Sequence, residues 1–389
     1  MPPAGNALSE HPILSWKETR ATHSARWRSE SGLPPPKRVI IADDALKADA
    51  AYHHACEGTA MLWRGDFQNA KMLLQAIARR ADNRARAARK VEPAPFPQAF
   101  HLQRQAQAQR ARTLGMLLIP FDAGHVIPLG RAPDVQLACY QIHGAADEPY
   151  VTSLRELLGI IGTHEWRKSG IDMPAAGGRI HPHYGVFAPV RSEYVQLVAE
   201  APLPSSELAF DIGTGTGVLA AVLARRGVAR VIATESDARA LACARENISR
   251  LVPEERVSVV EANLFPDLAT AGRAPLIVCN PPWIPSRPSS PLEHAIYDFE
   301  SRMLRGFLDG LAAHLAPGGE GWLILSDIAE HLGLRTRDAL LAWIEKAGLK
   351  VLGKIDIKPK HPRAADASDP LHKARAAEVT SLWRLAALA

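Results

Sequence analysis

The sequence lacks the features that hold a protein in a membrane, around a metal ion or together by disulfide bonds. No apolar run approaches the roughly 18 residues that a membrane-spanning helix needs. The N-terminus has no basic start followed by an apolar run, so we expect no secretory signal. The four cysteines are scattered, with neither a CxxC pair nor a Cys/His cluster, which argues against a zinc site and against a disulfide framework. We therefore expect a cytoplasmic protein with no metal and no membrane partner.

The balance of charge is also modest. The formal net charge is +5, which permits an anionic partner such as RNA without requiring one. Apolar residues make up 47% of the chain, as in ordinary globular proteins. A chain of 389 residues is long for one average domain, so we expect two.

Composition divides the chain into four parts. Residues 1–36 show no clear period and end in GLPPPK, which predicts a flexible arm. Residues 37–168 predict a mainly helical domain that recognises a substrate or acts as a lid. Its clearest segments are GDFQNAKMLLQAIARRA, with Asp66 as a plausible N-cap, and HLQRQAQAQRARTLGMLLI. Residues 169–184 are rich in glycine and proline and predict a linker.

The fourth part, residues 185–389, alternates short apolar strands with helices. The strands are LAFDI, RVIAT, VSVVEA, LIVC and GWLILS (208–212, 230–234, 257–262, 276–279 and 321–326). This alternation predicts a Rossmann-like α/β domain with a doubly wound parallel sheet. LKVLGKIDIK and EVTSLWRLAAL near the C-terminus could add a closing antiparallel pair, for seven strands in all.

A basic stretch lies in the N-terminal half. Residues 79–112 contain nine Lys/Arg and two Asp/Glu, a local excess of +7. A solvated helix face is the commoner explanation of such a run, and a nucleic-acid contact is the alternative.

A glycine-rich turn follows the first strand of the fourth part, in FDIGTGTGVLAAVLA. A P-loop is excluded because the GxxxxGK[ST] lysine is missing. A dinucleotide site prefers GxGxxG, whereas Gly213, Gly215 and Gly217 give GxGxG followed by Val218. Asp211, just before the turn, is unfavourable beside a pyrophosphate and suits a cationic amino group. S-adenosylmethionine (SAM) carries such a group and no phosphate.

Polar side chains also follow the next three strands. Glu235 can accept hydrogen bonds from ribose hydroxyls, a role shared by NAD and SAM sites. Asn263 is placed to read an adenine ring, and Asn280 opens the sequence Asn-Pro-Pro-Trp. Parallel sheets bind ligands at the carboxyl ends of their strands, so this coincidence favours a binding site over a set of tight turns.

Four motifs in this order and spacing, DIGTGTG, TES, NLF and NPPWIP, resemble the class I SAM-dependent methyltransferases. CNPPWIPS followed by APGG is most similar to HemK-type protein-glutamine N5-methyltransferases and to the small methyltransferase domain of ribosomal RNA enzymes. GVFAPVRSEYVQLV (185–198) resembles the segment that covers the cofactor in these families.

The resemblance spans roughly residues 185 to 350 and leaves the N-terminal half unassigned. It departs from HemK-type enzymes at two places. Pro189, Arg191 and Glu193 are spread more widely than the usual Pro-Arg-x-Glu pattern, and Trp283 stands where tyrosine is usual.

The resemblance implies SAM as cofactor and methylation of a planar nitrogen. Such a nitrogen is a poor nucleophile because its lone pair is delocalised. The Asn280 side-chain oxygen and the Pro281 carbonyl can each accept one N–H of the acceptor. Pro282 stiffens the backbone, and Trp283 can stack on the planar group. We expect these four residues to be catalytic, chiefly through positioning.

The expected cofactor-binding residues are Asp211, Gly213, Thr214, Gly215, Gly217, Glu235, Asn263 and Asn280. Phe187 and Arg191 of the covering segment are expected substrate contacts. The expected acceptor is a protein glutamine or an RNA base, with the ribosome or a translation factor as partner. Two alternatives stay open: methylation of a small amine or amide, and a catalytically silent scaffold that binds nucleic acid.

Overall fold

The computed structural model describes residues 11–88, 95–253, 255–288, 290, 293–359 and 369–388. The chain forms two compact units. The first comprises the described parts of 1–93 and 102–164, and the second comprises those of 94–101 and 165–389.

The first unit is an α/β structure. Its strands are β1 (Ile13–Glu18), β2 (Ala21–Trp27), β3 (Arg38–Ala42), β4 (Thr59–Trp63), β5 (Leu117–Phe121) and β6 (Tyr150–Ser153). Its helices are α1 (Ala48–Cys56), α2 (Phe67–Ala88) and α4 (Gln136–His143), together with most of α3 (Gln98–Leu114) and of α5 (Leu154–Ser169). The strand order is β1-β2-β6-β5-β4-β3. The pairs β1–β2 and β5–β6 are antiparallel, and the remaining neighbours are parallel.

This sheet corrects two expectations. The first 36 residues are not simply a flexible arm, because β1 and β2 occupy 13–27 and pair with each other. The N-terminal domain is not built from helices alone, since its helices accompany a six-stranded sheet. The strands β4 and β5 are buried along their whole length and show no alternation. Periodicity cannot distinguish a short apolar run of this kind from a buried helix. For this reason the sequence pattern extends the helix α3 through MLLI (116–119), although β5 begins at Leu117.

The predicted start of α2 is confirmed. Asp66 Oδ1 accepts hydrogen bonds from the backbone N–H groups of Gln68 (2.8 Å) and Asn69 (3.3 Å). These groups have no partner within the first turn of a helix, so the carboxylate stabilises that turn as an N-cap.

The second unit contains a two-stranded hairpin and a seven-stranded sheet. Its strands are β7 (Ile171–Met173), β8 (Gly178–Ile180), β9 (Leu208–Ile212), β10 (Arg230–Glu235), β11 (Val257–Glu261), β12 (Ala274–Cys279), β13 (Leu315–Ser326), β14 (Leu349–Ile357) and β15 (Thr380–Ala387). Its helices are α6 (Glu193–Glu200), α7 (Val218–Arg225), α8 (Ala238–Leu251), α9 (Leu268–Ala271), α10 (Arg302–His314), α11 (Ile328–His331), α12 (Arg337–Lys346) and α13 (His372–Ala377).

The large sheet confirms the predicted Rossmann-like fold. Its order is β11-β10-β9-β12-β13-β15-β14. The first five strands are mutually parallel, and β15 lies antiparallel between β13 and β14. One hydrophobic cluster joins the sheet to α6 and α7, and another joins it to α10 and α12. Helices therefore cover both faces, which explains the unbroken apolar runs of the central strands.

The segment predicted as a linker is part of this unit. The hairpin β7–β8 lies within it, and Met173, Ala176 and Ile180 are buried in the cluster that contains α7. The glycines and prolines make the tight turn between two very short strands, not a free connection. Among the described helices, none is long and apolar enough to cross a membrane.

Candidate active site

The polar residues singled out in the sequence lie along one edge of the large sheet. Asp211 is in β9, Glu235 ends β10, Asn263 follows β11 and Asn280 follows β12. Because these four strands are parallel neighbours, their carboxyl ends share the edge where such sheets bind ligands.

Asp211 fixes the glycine loop to the helix that follows it. Its carboxylate is 1% exposed. Oδ2 accepts hydrogen bonds from the Thr214 hydroxyl (2.5 Å) and from the Ala220 N–H in the first turn of α7 (3.0 Å). Burial raises the pKa of Asp211 to about 6, against the two hydrogen bonds that favour the ionised form. This carboxylate therefore organises the loop in addition to any contact with a cationic ligand.

The loop needs its three glycines for different reasons. Gly213, Gly215 and Gly217 have φ of 67°, 58° and 82°, a region that other residues enter at a cost. A Cβ on Gly213 would collide with the Cε atom of Met303. A Cβ on Gly215 would meet no heavy atom of the described residues within 4 Å. Gly213 thus packs against Met303, and Gly215 faces open space.

Glu235 binds the same loop from the neighbouring strand. Its Oε2 accepts from the Gly215 N–H (3.0 Å), and its Oε1 accepts from Ser236 (2.9 Å) and Asp237 (3.0 Å). These backbone contacts orient the carboxylate toward the loop. A carboxylate oxygen has two lone pairs, so Oε2 retains capacity for a ribose hydroxyl. Asn263 is exposed at the same edge.

The Asn-Pro-Pro-Trp sequence leaves the end of β12 as an ordered turn. The Trp283 indole N–H donates to Asn280 Oδ1 at 2.9 Å. An indole N–H can only donate, so it selects the oxygen of the Asn280 amide. Pro281 is buried, and the Trp283 ring is partly buried where three hydrophobic clusters meet. Trp283 is therefore both a packing residue and a hydrogen-bond partner of Asn280.

The covering segment reaches this turn through Arg191. The Arg191 guanidinium lies 5.6 Å from the centre of the Trp283 ring, and its Nη2 donates to Glu378 at 3.1 Å. Phe187 is 39% exposed and its ring lies 6.4 Å from that of Tyr194. The sequence predicts neither Met303 nor Glu378 as part of the site, because each lies far along the chain outside any motif.

These residues fit SAM better than a phosphate-bearing cofactor. The edge carries the Glu235 carboxylate and a glycine backbone that a ligand can approach closely, with the buried Asp211 carboxylate bound to the same loop. Asp211 and Glu235 would hold the amino and ribose groups, and Gly215 would lie against the ligand. Among the described residues, no group of three or more His, Cys, Asp or Glu side chains is arranged to hold a metal ion.

Comparison with known proteins agrees with this geometry. The family model described as Methyltransferase small domain matches residues 178–337. A release factor glutamine methyltransferase from Geobacter sulfurreducens is 29% identical over 201 residues, covering 49% of this chain and 64% of the relative. A tRNA1(Val) (adenine(37)-N6)-methyltransferase from Bacteroides fragilis is 33% identical over 172 residues, covering 41% and 72%. A methyltransferase structure from Pyrococcus furiosus covers 60% of this chain and 99% of its own, at 22% identity and a TM-score of 0.39.

The sheet order and the loop at the end of β9 define a Rossmann-fold methyltransferase. The chain belongs to the SAM-dependent methyltransferases that carry this small domain, and SAM is their cofactor. The chain covers 64% of the length of the Geobacter relative, which is just under two thirds.

We expect Gly215→Ala to lose SAM binding while the fold is kept. The new methyl group meets no protein atom, so it enters the space in front of the loop. The positive φ costs about 1 kcal/mol. Calorimetry with SAM and thermal unfolding measure the two effects.

Gly348→Ala is the matched control for this variant, because Gly348 has φ of 69° and is equally open. It should lose similar stability and bind SAM normally. Equal SAM affinity in both variants would contradict the placement of the cofactor against Gly215.

Asp211→Asn should be more stable than the parent protein above pH 6 and should bind SAM more weakly. The folded-state pKa is raised from 3.8 to about 6, so the folded protein holds this proton more tightly than the unfolded chain. The parent therefore loses stability, on the order of 3 kcal/mol, as the pH rises between these two values. The asparagine variant lacks this loss.

Urea unfolding of both proteins from pH 4 to 8 measures the difference in free energy of unfolding. It should grow up to about pH 6 and then stay constant, given the raised pKa of Asp211. A difference that does not change with pH would contradict a buried, ionised Asp211.

Proposed function

We propose that this protein is a SAM-dependent N-methyltransferase that acts on a planar nitrogen, either a protein glutamine amide or an exocyclic amine of an RNA base. The observation that carries the proposal is the Asn280-Pro281-Pro282-Trp283 turn beside the glycine loop, with the Asn280 oxygen oriented by Trp283. This placement supports an acceptor site next to a cofactor site.

The turn supplies hydrogen-bond acceptors in a fixed direction. Trp283 uses one lone pair of Asn280 Oδ1, and the second is free to accept an N–H of the acceptor. The Pro281 carbonyl accepts the other N–H. Both bonds place electron density on the nitrogen and aim its lone pair. SAM, when bound, supplies the activated methyl group.

The proton balance of the reaction places little demand on the protein. The nitrogen gains a methyl group and loses one proton, which becomes acidic once the new bond forms. No strong general base is needed, so positioning supplies most of the rate.

The relatives support this chemistry at the level of the reacting atom. One is named for methylation of a release factor glutamine and another for methylation of adenine at N6. A glutamine amide and an adenine amine are both planar nitrogens with two N–H groups. An acceptor of either class in the cytoplasm, on a translation factor or in RNA, agrees with these names. A small-molecule acceptor and a silent scaffold find less support.

The arginines on the helices of the first unit are relevant to whether the acceptor is RNA. Two arginines of the basic stretch are already paired: Arg80 with Asp49 at 2.6 Å and Arg110 with Asp82 at 2.7 Å. Arg79 and Arg84 are exposed on α2, where Arg84 also interacts with Tyr52, and they are the two cations that we propose for contact with an RNA backbone. The side chains of Arg86 and Arg89 lie outside the described residues.

Asn280→Ala should lower single-turnover methyl transfer about a hundredfold to a thousandfold, because it removes one positioned acceptor worth about 3–4 kcal/mol. Asn280→Asp should be milder, since a carboxylate still accepts from Trp283 and from the substrate. SAM affinity should change little in both. A near-parental rate for Asn280→Ala would make the turn purely structural.

The acceptor is found by transfer of labelled methyl from SAM into an extract of cells that lack the protein. Label removed by RNase identifies an RNA acceptor, and label removed by protease identifies a protein. Asn280→Ala enzyme is the control for background transfer. Label that stays with small molecules would overturn the macromolecular acceptor.

Arg79→Gln combined with Arg84→Gln should weaken RNA binding and reduce the slope of log affinity against log salt by about 1.4, since two fewer counterions are released from a single strand. Arg80→Gln with Arg110→Gln is the charge-matched control. It removes paired arginines and should lower stability more than the salt slope. Equal slopes for the parent and the first variant would show that α2 presents only a solvated face.

A further inference from the structure

The Arg191 side chain links the covering segment to a residue near the C-terminus. Its guanidinium lies over the Trp283 ring and donates to Glu378. Arg191 is 27% exposed, whereas Glu378 is 5% exposed. A buried carboxylate needs partners for its charge, so this ion pair is more strongly held than an exposed one.

Glu378 is itself held in place at the edge of the sheet. Its Oε1 accepts from the Ser326 hydroxyl at 2.7 Å, at the end of β13. Ser326 Oγ in turn accepts from the Ile328 N–H at 3.0 Å. Just beyond Glu378, Val379 and Asp327 exchange two hydrogen bonds of 2.7 and 3.0 Å. The carboxylate therefore has little freedom to turn away from Arg191.

A continuous series of contacts thus runs from Glu378 to Asn280. Glu378 orients Arg191, Arg191 packs on the face of Trp283, and the Trp283 N–H fixes Asn280 Oδ1. A cation over an indole face is stabilising by about 0.5–2 kcal/mol, depending on how far it is desolvated. An energy of this size changes the ratio between two orientations of the ring by about twofold to thirtyfold.

We propose that Arg191 and Glu378 are positioning residues for the acceptor nitrogen, acting on Asn280 through Trp283. This inference rests on the proposed function. Trp283 works mainly through its N–H, because Arg191 covers one of its faces and keeps the acceptor from stacking there. Glu378 lies beyond residues 178–337, the region that the family model matches, so the C-terminal segment of the chain completes the acceptor site.

The test follows the indole N–H resonance of Trp283 by NMR in full-length protein labelled with 15N-tryptophan. Trp283→Phe assigns the resonance by its disappearance. Arg191→Met keeps the aliphatic stem, and Glu378→Gln keeps the shape of the carboxylate. Each should shift the Trp283 resonance and speed its exchange with solvent.

The chain offers a closely matched control pair. Arg384 and Glu320 form a two-bond ion pair between β15 and β13, and the Trp322 N–H donates to Glu320 at 3.0 Å. Their exposures, 31% and 9%, resemble those of Arg191 and Glu378. Glu320 lies well before Ser326 on β13, away from the Asn-Pro-Pro-Trp turn. Arg384→Met and Glu320→Gln should leave the Trp283 resonance in place.

In single-turnover transfer, Arg191→Met and Glu378→Gln should each lower the rate about tenfold or more at saturating SAM and acceptor, with SAM affinity kept. Arg191→Met combined with Trp283→Phe should cost no more than Trp283→Phe alone, because both act through one hydrogen bond. Additive losses in this pair, or an unmoved Trp283 resonance in both single variants, would overturn the inference.

The NMR experiment and the methyl-transfer experiment test this inference and the proposed function separately. A parent protein that methylates no acceptor would refute the proposed function, while the resonance of Trp283 still reports whether Arg191 and Glu378 orient it. If the enzyme methylates its acceptor but the Trp283 resonance is unchanged in both variants, only the positioning role is refuted.

Discussion

The buried carboxylate of Asp211 is the interaction on which the cofactor site depends. It lies in β9, flanked by β10 and β12, where a charge is costly to hold. Hydrogen bonds from Thr214 and Ala220 offset part of that cost and tie the glycine loop to α7. The Glu235 carboxylate binds the same loop at the Gly215 N–H, so the two carboxylates together set the backbone shape that a ligand meets.

The Asn-Pro-Pro-Trp turn, which we propose as the acceptor side, is organised by different contacts. Asn280 opens the Asn-Pro-Pro-Trp turn, and the Trp283 N–H fixes the oxygen of its side chain. Trp283 is in turn fixed by three hydrophobic clusters and by Arg191. The cofactor side thus relies on a buried charge, and the acceptor side on packing around a single hydrogen-bond donor.

Sequence reasoning was accurate where local patterns carry the information. The apolar runs located β9 to β13, and the Asp66 N-cap located the start of α2, because period and capping act within a few residues. It failed for the first unit, where short buried strands resemble helix segments, and for the supposed linker. There, burial of Ile180 depends on partners contributed by remote parts of the chain.

In the second unit, the sequence by itself determined the succession of strands and turns along the chain. It thereby also determined which residues end the parallel strands. Side chains at those positions must meet at one edge of the sheet. The tertiary structure alone decided which groups those residues contact. It put Met303 against Gly213, and it brought Glu378 and Arg191 to Trp283. The reason is physical: hydrogen bonds and ring contacts depend on distances of a few ångströms between residues up to 187 positions apart, and no local pattern encodes them.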